Sequence, residues 1–134
     1  PDIGYAIPLI CYELIFPSNV RTEVRPSMII QVTNDAWFGR FLGPYQHLAQ
    51  AKFRAVEQAL PVIRAANTGI SAIIDAKGKI VAQTRLNETT FLDAYIPPVG
   101  SKTLYAKLAD WPIIIFLTLA LSKLILFRKF MIKD

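Results

Sequence analysis

Short apolar runs of strand length alternate with turn residues over residues 1–110, and a different pattern follows. Ile3 to Cys11 predicts a strand, with Pro8 marking a bulge or a sheet edge. Pro17 opens a short helix over Ser18–Val24, which Pro26 ends. Met28–Thr33 has the composition of a buried strand, and Asn34–Gly39 is a loop carrying two large aromatics, Trp37 and Phe38. Gly43-Pro44 begins the best helical pattern, Tyr45 to Leu60, in which Leu48, Ala51, Ala55, Val56 and Ala59 share one face. Pro61 stops it. Strands are then expected at Val62–Ala66, Ile70–Asp75, Ile80–Thr84 and Phe91–Ile96, with turns at Asn67–Gly69 and Ala76–Lys79. Strands and helices mixed in this way predict an α/β class, as one layer or one half of a sandwich.

From Trp111 to Phe127 the alternation disappears. These residues are apolar all round, so they lack the one-sided face of a surface helix. As a helix they span about 25 Å, enough for a short membrane crossing. Pro112 suits the first turn, Trp111 an interfacial anchor, and Lys123 lies close enough to the end for its ammonium to reach headgroups. The expected organisation is a layer over residues 1–110, a transmembrane helix over 111–127 and a basic tail over 128–134.

Composition sharpens this picture. Of 134 residues, 53% are hydrophobic and 19% charged, which excludes a disordered chain. The net charge of +5 invites a nucleic-acid reading, but Lys123, Arg128, Lys129 and Lys133 gather beside the apolar run, opposed there by Asp134 alone. No basic stripe occurs elsewhere, so the charge points to a membrane surface and not to nucleic acid. The positive-inside bias places the tail in the cytoplasm and residues 1–110 on the opposite face. A single cysteine excludes a disulfide scaffold and a multi-thiolate zinc site. No glycine-rich phosphate loop is present, and neither a cofactor nor a metal is expected.

That cysteine, Cys11, is the leading chemical candidate. It stands where Ile7-Pro8-Leu9-Ile10 runs into Tyr12-Glu13, and a thiol at a strand end can meet a substrate carbonyl beside the next backbone amide. A packed core cysteine is the alternative. Glu13 shares a strand face with Cys11 if the extended conformation continues, and is otherwise a solvated carboxylate. His47 is expected to face one side of its helix and bond locally rather than pair with Cys11. Trp37 and Phe38 line a pocket, a partner surface or a membrane interface, or else cap the core. Arg54, Glu57 and Arg64 are read as structural charges, the first two as an i,i+3 pair.

Ile10-Cys11-Tyr12-Glu13 followed by Thr33-Asn34-Asp35-Ala36-Trp37-Phe38-Gly39 resembles the nitrilase superfamily around its nucleophile. Gly43-Pro44-Tyr45-Gln46-His47, Arg54-Ala55-Val56-Glu57, Pro61, Arg64, Asn67-Thr68-Gly69 and the terminal span narrow the resemblance to the bacterial apolipoprotein N-acyltransferase family. The resemblance implies part of an α-β-β-α sandwich on the periplasmic side of the inner membrane. It implies transfer of an acyl chain from a phospholipid donor to the amine of a diacylglyceryl-cysteine lipoprotein. Cys11 is then the nucleophile that carries a thioester. Tyr12 and Glu13 match positions needed for activity, the Tyr12 amide contributes to the oxyanion hole, and Trp37 and Phe38 match an aromatic loop near the site. The family's triad is Glu-Lys-Cys, and nothing in this sequence matches its Glu and Lys motifs. The chain is therefore expected to correspond to the C-terminal part of such an enzyme, inactive as it stands. A membrane-tethered amidase of the same superfamily and a non-catalytic membrane-anchored binding module are the competing readings.

Overall fold

The computed structural model describes residues 4–131, with side chains to residue 128. The expected strand start at Ile3 and most of the basic tail, Lys129 to Asp134, fall outside the described residues or side chains. The chain divides into two compact units, Pro1–Thr103 and Leu104–Asp134.

The first unit is a five-stranded sheet in sequential order: β1 (Ala6–Ile10), β2 (Met28–Asn34), β3 (Val62–Asn67), β4 (Ala72–Ile74) and β5 (Ile80–Gln83). The first three strands are parallel, and β4 and β5 add antiparallel neighbours. Parallel neighbours need a crossover, and between β2 and β3 it is helix α1 (Gly43–Gln58). Proline in its first turn starts α1. At its end Ala59 adopts the left-handed conformation, its N–H reaching Ala55 and Val56 carbonyls, and Pro61 prevents continuation. Leu48, Ala51, Ala55 and Ala59 are buried as the pattern requires, but Val56 is 47% exposed, so the buried stripe is narrower than expected. In its place His47, Arg54 and Gln58 are buried, polar residues that a hydrophobic count passes over.

Alternation along β2 and β3 gives the sheet two unlike faces. Ile29, Val62, Ala72 and Ile74 are fully buried on the helix side with Leu14, and burying each of the larger ones stabilises by roughly 1.5–3 kcal/mol. The same face carries Gln31, Thr33 and Arg64, all buried. On the other face, Pro8, Ile30, Ile63 and Ile73 form one row across four strands, and Ile10, Val32 and Ala65 form the next. Ile10 and Val32 in that second row are 65% and 57% exposed. One α-β layer is therefore present, its second face apolar and partly bare.

Three local expectations are corrected. The strand through Cys11 ends at Ile10, because Cys11 has φ +49 and turns the chain into a 3-10 turn over Cys11–Ile15. Glu13 consequently does not lie on a strand face with Cys11. The expected helix over Ser18–Val24 is a shorter 3-10 turn, Pro17–Val20. Phe91–Ile96 forms no strand; Phe91 and Tyr95 are 84% and 97% exposed, and the segment runs irregularly to Gly100. There it is tied down: the Gly100 N–H donates to the Ala59 carbonyl (2.9 Å), and Arg25 Nη2 donates to the Gly100 carbonyl (2.8 Å).

In the second unit, α2 (Leu104–Leu108) precedes α3 (Trp111–Met131). The stretch Trp111–Arg128 is long and apolar enough to cross a bilayer, and none of it is buried in the protein. Its two hydroxyl side chains are satisfied within the helix: Thr118 Oγ1 donates to the Ile114 and Ile115 carbonyls, and Ser122 Oγ to that of Thr118. This is what a hydrocarbon environment demands of hydroxyl groups.

Candidate active site

The carboxyl ends of the three parallel strands converge on one edge of the sheet, the usual place for chemistry in open α/β layers. Cys11 follows β1, Asp35 follows β2, and Gly69 comes just after β3.

Cys11 is partly buried, at the apex of a strained turn. Left-handed backbone at a residue with a Cβ costs about 1–2 kcal/mol, so surrounding bonds must hold it. Two do so. The Ile10 N–H donates to Glu13 Oε2 (2.7 Å), closing the turn from outside. The Gln31 side-chain amide donates to the Cys11 carbonyl (3.1 Å) from the sheet beneath. Glu13 thus caps the turn.

Gln31 belongs to a buried polar cluster. Its Nε2 also lies 3.0 Å from His47 Nε2, and its Oε1 accepts from Arg64 Nη1. Arg64 stands beside Gln31 in the parallel register, and its Nη2 pairs with Asp35 Oδ2. His47 Nδ1 lies 2.9 Å from Asp35 Oδ1, which also accepts from Thr33 Oγ1 (3.1 Å). A carboxylate only accepts, so Nδ1 carries the imidazole proton and Nε2 accepts from Gln31. Arg64 Nε donates to the Ile70 carbonyl (3.1 Å), so the cluster is connected throughout. Burial pushes the Asp35 carboxyl up, but the His47 hydrogen bond and the Arg64 charge outweigh it and leave it below its ordinary value of 3.8. Gly69 completes the enclosure, because a Cβ there would come within 2.4 Å of Asp35 Oδ2.

Above the cluster lies an aromatic group. Phe38 meets the His47 ring edge-on at 5.3 Å between centroids, and Tyr12 lies 5.8 Å from Phe38 and 5.9 Å from His47. With Ile15, Gly43, Gln46 and Gln50 they line a cleft of about 300 Å³. Asn34 accepts from the Ala36 N–H (3.2 Å) and starts the 3-10 turn Asp35–Phe38, which separates the two aromatics. Phe38 turns toward the cleft, whereas Trp37 is 85% exposed.

The structure therefore brings Tyr12 and Phe38 together in the cleft, sets Cys11 and Glu13 in the turn that carries Tyr12, and leaves Trp37 exposed outside the cleft lining. Gln31 stands between His47 and Cys11, its Nε2 hydrogen-bonded to His47 Nε2 and to the Cys11 carbonyl. The partners of His47 lie on other elements rather than locally as expected. Arg54 and Glu57 pair at 2.7 Å, as their spacing predicts. The sequence alone does not mark Gln31, Thr33 and Asp35 as site residues, and it presents Arg64 only as a structural charge. The available signal is alternation: polar residues at 31 and 33 interrupt a strand otherwise built for burial, and Asp35 continues the same spacing just past its end.

Residues 2–104 match the carbon-nitrogen hydrolase family. The chain belongs to that family. Among curated carbon-nitrogen hydrolase relatives, it is 45% identical over 130 residues to the apolipoprotein N-acyltransferase of Rhodopseudomonas palustris, covering 96% of this chain and 24% of the relative. It is 50% identical over 122 residues to the apolipoprotein N-acyltransferase of Bradyrhizobium diazoefficiens, covering 90% and 22%. The chain thus spans less than a quarter of the length of these relatives. Among solved structures, a carbon-nitrogen hydrolase from Helicobacter pylori G27 superposes with TM-score 0.56 at 13% identity, over 66% of this chain and 39% of that one. Saccharomyces cerevisiae Nit3, of the nitrilase superfamily, gives 0.52 at 24% identity, over 63% and 34%. At these identities the structural likeness establishes the fold, which is that of the carbon-nitrogen hydrolases.

Proposed function

We propose that this chain carries the nucleophile-bearing layer of an apolipoprotein N-acyltransferase, with Cys11 as the residue that holds the acyl group. The observation that carries the reading is the placement of Cys11. A lone cysteine sits on a held, left-handed turn at the carboxyl edge of the sheet, and the next residue, Tyr12, lines the aromatic cleft.

In the first step the Cys11 sulfur, as thiolate, attacks the ester carbonyl of a phospholipid. A C–S bond forms and the carbonyl π pair moves to oxygen. Collapse of that tetrahedral intermediate breaks the ester C–O bond, and the lysophospholipid alkoxide leaves by taking up the proton that the Cys11 thiol released on ionising. In the second step the amine of a diacylglyceryl-cysteine lipoprotein attacks the thioester, forms the amide and returns the thiol. The Tyr12 amide follows the nucleophile directly and is the donor offered to the oxyanion, an interaction worth about 3–4 kcal/mol when well aimed. Phe38 and Tyr12 supply apolar surface for the chain near the carbonyl. Trp37, at the rim, contacts the incoming lipid. No metal or cofactor enters either step.

Both substrates are lipid-anchored, so an apolar helix in the same chain serves the reaction by confining it to a membrane surface. The reading places the sheet layer on the periplasmic side of the inner membrane and the end of α3 in the cytoplasm. The Arg128 and Lys129 pair and Lys133 support that orientation.

The test uses the full-length protein in phospholipid vesicles with a diacylglyceryl-cysteine peptide. Mass spectrometry should find an acyl adduct on Cys11 that is discharged to the peptide amine, and Cys11→Ala should abolish both. N-acylation undiminished in Cys11→Ala overturns the assignment. Family membership keeps one rival in view, a membrane-tethered amidase, in which water resolves the same thioester. Release of free acid irrespective of the acceptor would favour it.

A further inference from the structure

We infer that Gln31 is a positioning residue that aims the oxyanion donor, acting through the peptide bond between Cys11 and Tyr12. The inference rests on the reading of Cys11 as the acyl-carrying nucleophile.

A trans peptide is planar, and its C=O and N–H point in opposite directions. Holding one end therefore fixes the other. Gln31 Nε2 donates to the Cys11 carbonyl at 3.1 Å, drawing that oxygen toward the buried cluster. The Tyr12 N–H, in the same plane, is thereby turned away from Gln31. Without that bond only the Ile10–Glu13 hydrogen bond closes the turn from outside, nothing holds the Cys11 carbonyl from beneath, and Cys11 at φ +49 gains by relaxing toward negative φ.

The amide of Gln31 is itself set one way round. Arg64 Nη1 can only donate, so it selects Oε1. His47 Nε2 accepts because Asp35 holds the proton on Nδ1, so it selects Nε2. A flipped amide would oppose donors to the guanidinium and an acceptor to the lone pairs of His47 and of the Cys11 carbonyl. The ion pair between Arg64 and Asp35 therefore serves to orient an uncharged group that reaches the nucleophile. This gives the cluster a task in transition-state stabilisation, although none of its members needs to touch the substrate.

Two reactions of the same sulfur separate aiming from general support. Alkylation by iodoacetamide is a direct displacement and forms no oxyanion. Acylation by a p-nitrophenyl ester passes through one. In the full-length protein, both rates are measured at Cys11 by peptide mass spectrometry, and their ratio cancels any change in thiolate fraction. Gln31→Glu keeps an acceptor for Arg64 and loses the donors, and Gln31→Met loses all three bonds at similar volume. With removal of a whole donor costing about 100-fold or more, misaiming one should lower the acylation-to-alkylation ratio by about 10-fold. Turnover with phospholipid and acceptor should show the loss in kcat with KM little changed. Equal loss of both rates, or no loss in a folded variant, overturns the inference while Cys11 keeps its role. Failure of the wild type to form any Cys11 acyl adduct overturns the reading beneath it instead.

Discussion

Glu13 and Ile10 are joined across Cys11 by a 2.7 Å hydrogen bond from the Ile10 N–H to the Glu13 carboxylate. A carboxylate occupied in this way holds the turn closed. Glu13→Gln keeps an acceptor oxygen and should retain most activity, whereas Glu13→Ala should lose about 1–2 kcal/mol of turn stability. Thermal denaturation and acyl-transfer rate measured together check this. An inactive Glu13→Gln with unchanged melting would instead make Glu13 a participant in proton transfer.

Asp35 gives the layer a dependence on acid. Its carboxyl sits below 3.8 in the folded state, held there by His47 and Arg64 against the opposing effect of burial. A lowered native value means the unfolded chain binds the proton more readily. The stabilisation is therefore complete above the ordinary value and drains away as pH falls from about 3.8 toward the native one. Asp35→Asn should abolish that acid slope in denaturant titrations. It should also cost about 3–5 kcal/mol at neutral pH, because Arg64 is left charged and buried without its partner. Arg64→Met added to Asp35→Asn should recover part of that loss.

Gly69 is required by proximity. A methyl group there meets three side-chain atoms of Asp35 at 2.4–2.8 Å, and a rigidly bonded carboxylate cannot withdraw. Gly69→Ala should destabilise by about 1–3 kcal/mol through overpacking. It should slow Cys11 acylation as well, since Asp35 is displaced from His47. A melting temperature equal to that of the wild type would show that the β3–β4 connection yields.

Trp37 and Phe38 are neighbours with different expected behaviour. Trp37 is 85% exposed, so Trp37→Ala should change stability by no more than about 0.5 kcal/mol while slowing transfer from phospholipid. Phe38→Ala removes the ring packed against Tyr12 and His47 and should reduce both stability and rate. Equal effects from the two substitutions would contradict the division between rim and cleft.

The strands were legible because hydrophobic runs bounded by turn residues report burial directly, as with Met28–Thr33 and Val62–Ala66. The membrane-length helix was legible for the same reason. Phe91–Ile96 has a strand's composition, but composition does not reveal whether a neighbouring strand is within reach. Motif order nominates Cys11, Tyr12, Glu13, Trp37 and Phe38, but the turn that carries the first three depends on one positive φ at Cys11 that no residue type announces. The buried cluster was harder still. Gln31, Asp35, His47 and Arg64 come from β2, the turn after it, α1 and β3, and only the register beside Arg64 and Gln31 brings them together.

The row of Ile10, Val32 and Ala65, on the side of the sheet away from α1, has consequences at the bench. An oily plane left open to water recruits chaperones, detergent or other copies of itself. Recombinant production of this stretch by itself should yield inclusion bodies unless a solubilising companion is fused to it. Its solubility, rather than its catalysis, will then be the first property any biochemist has to manage.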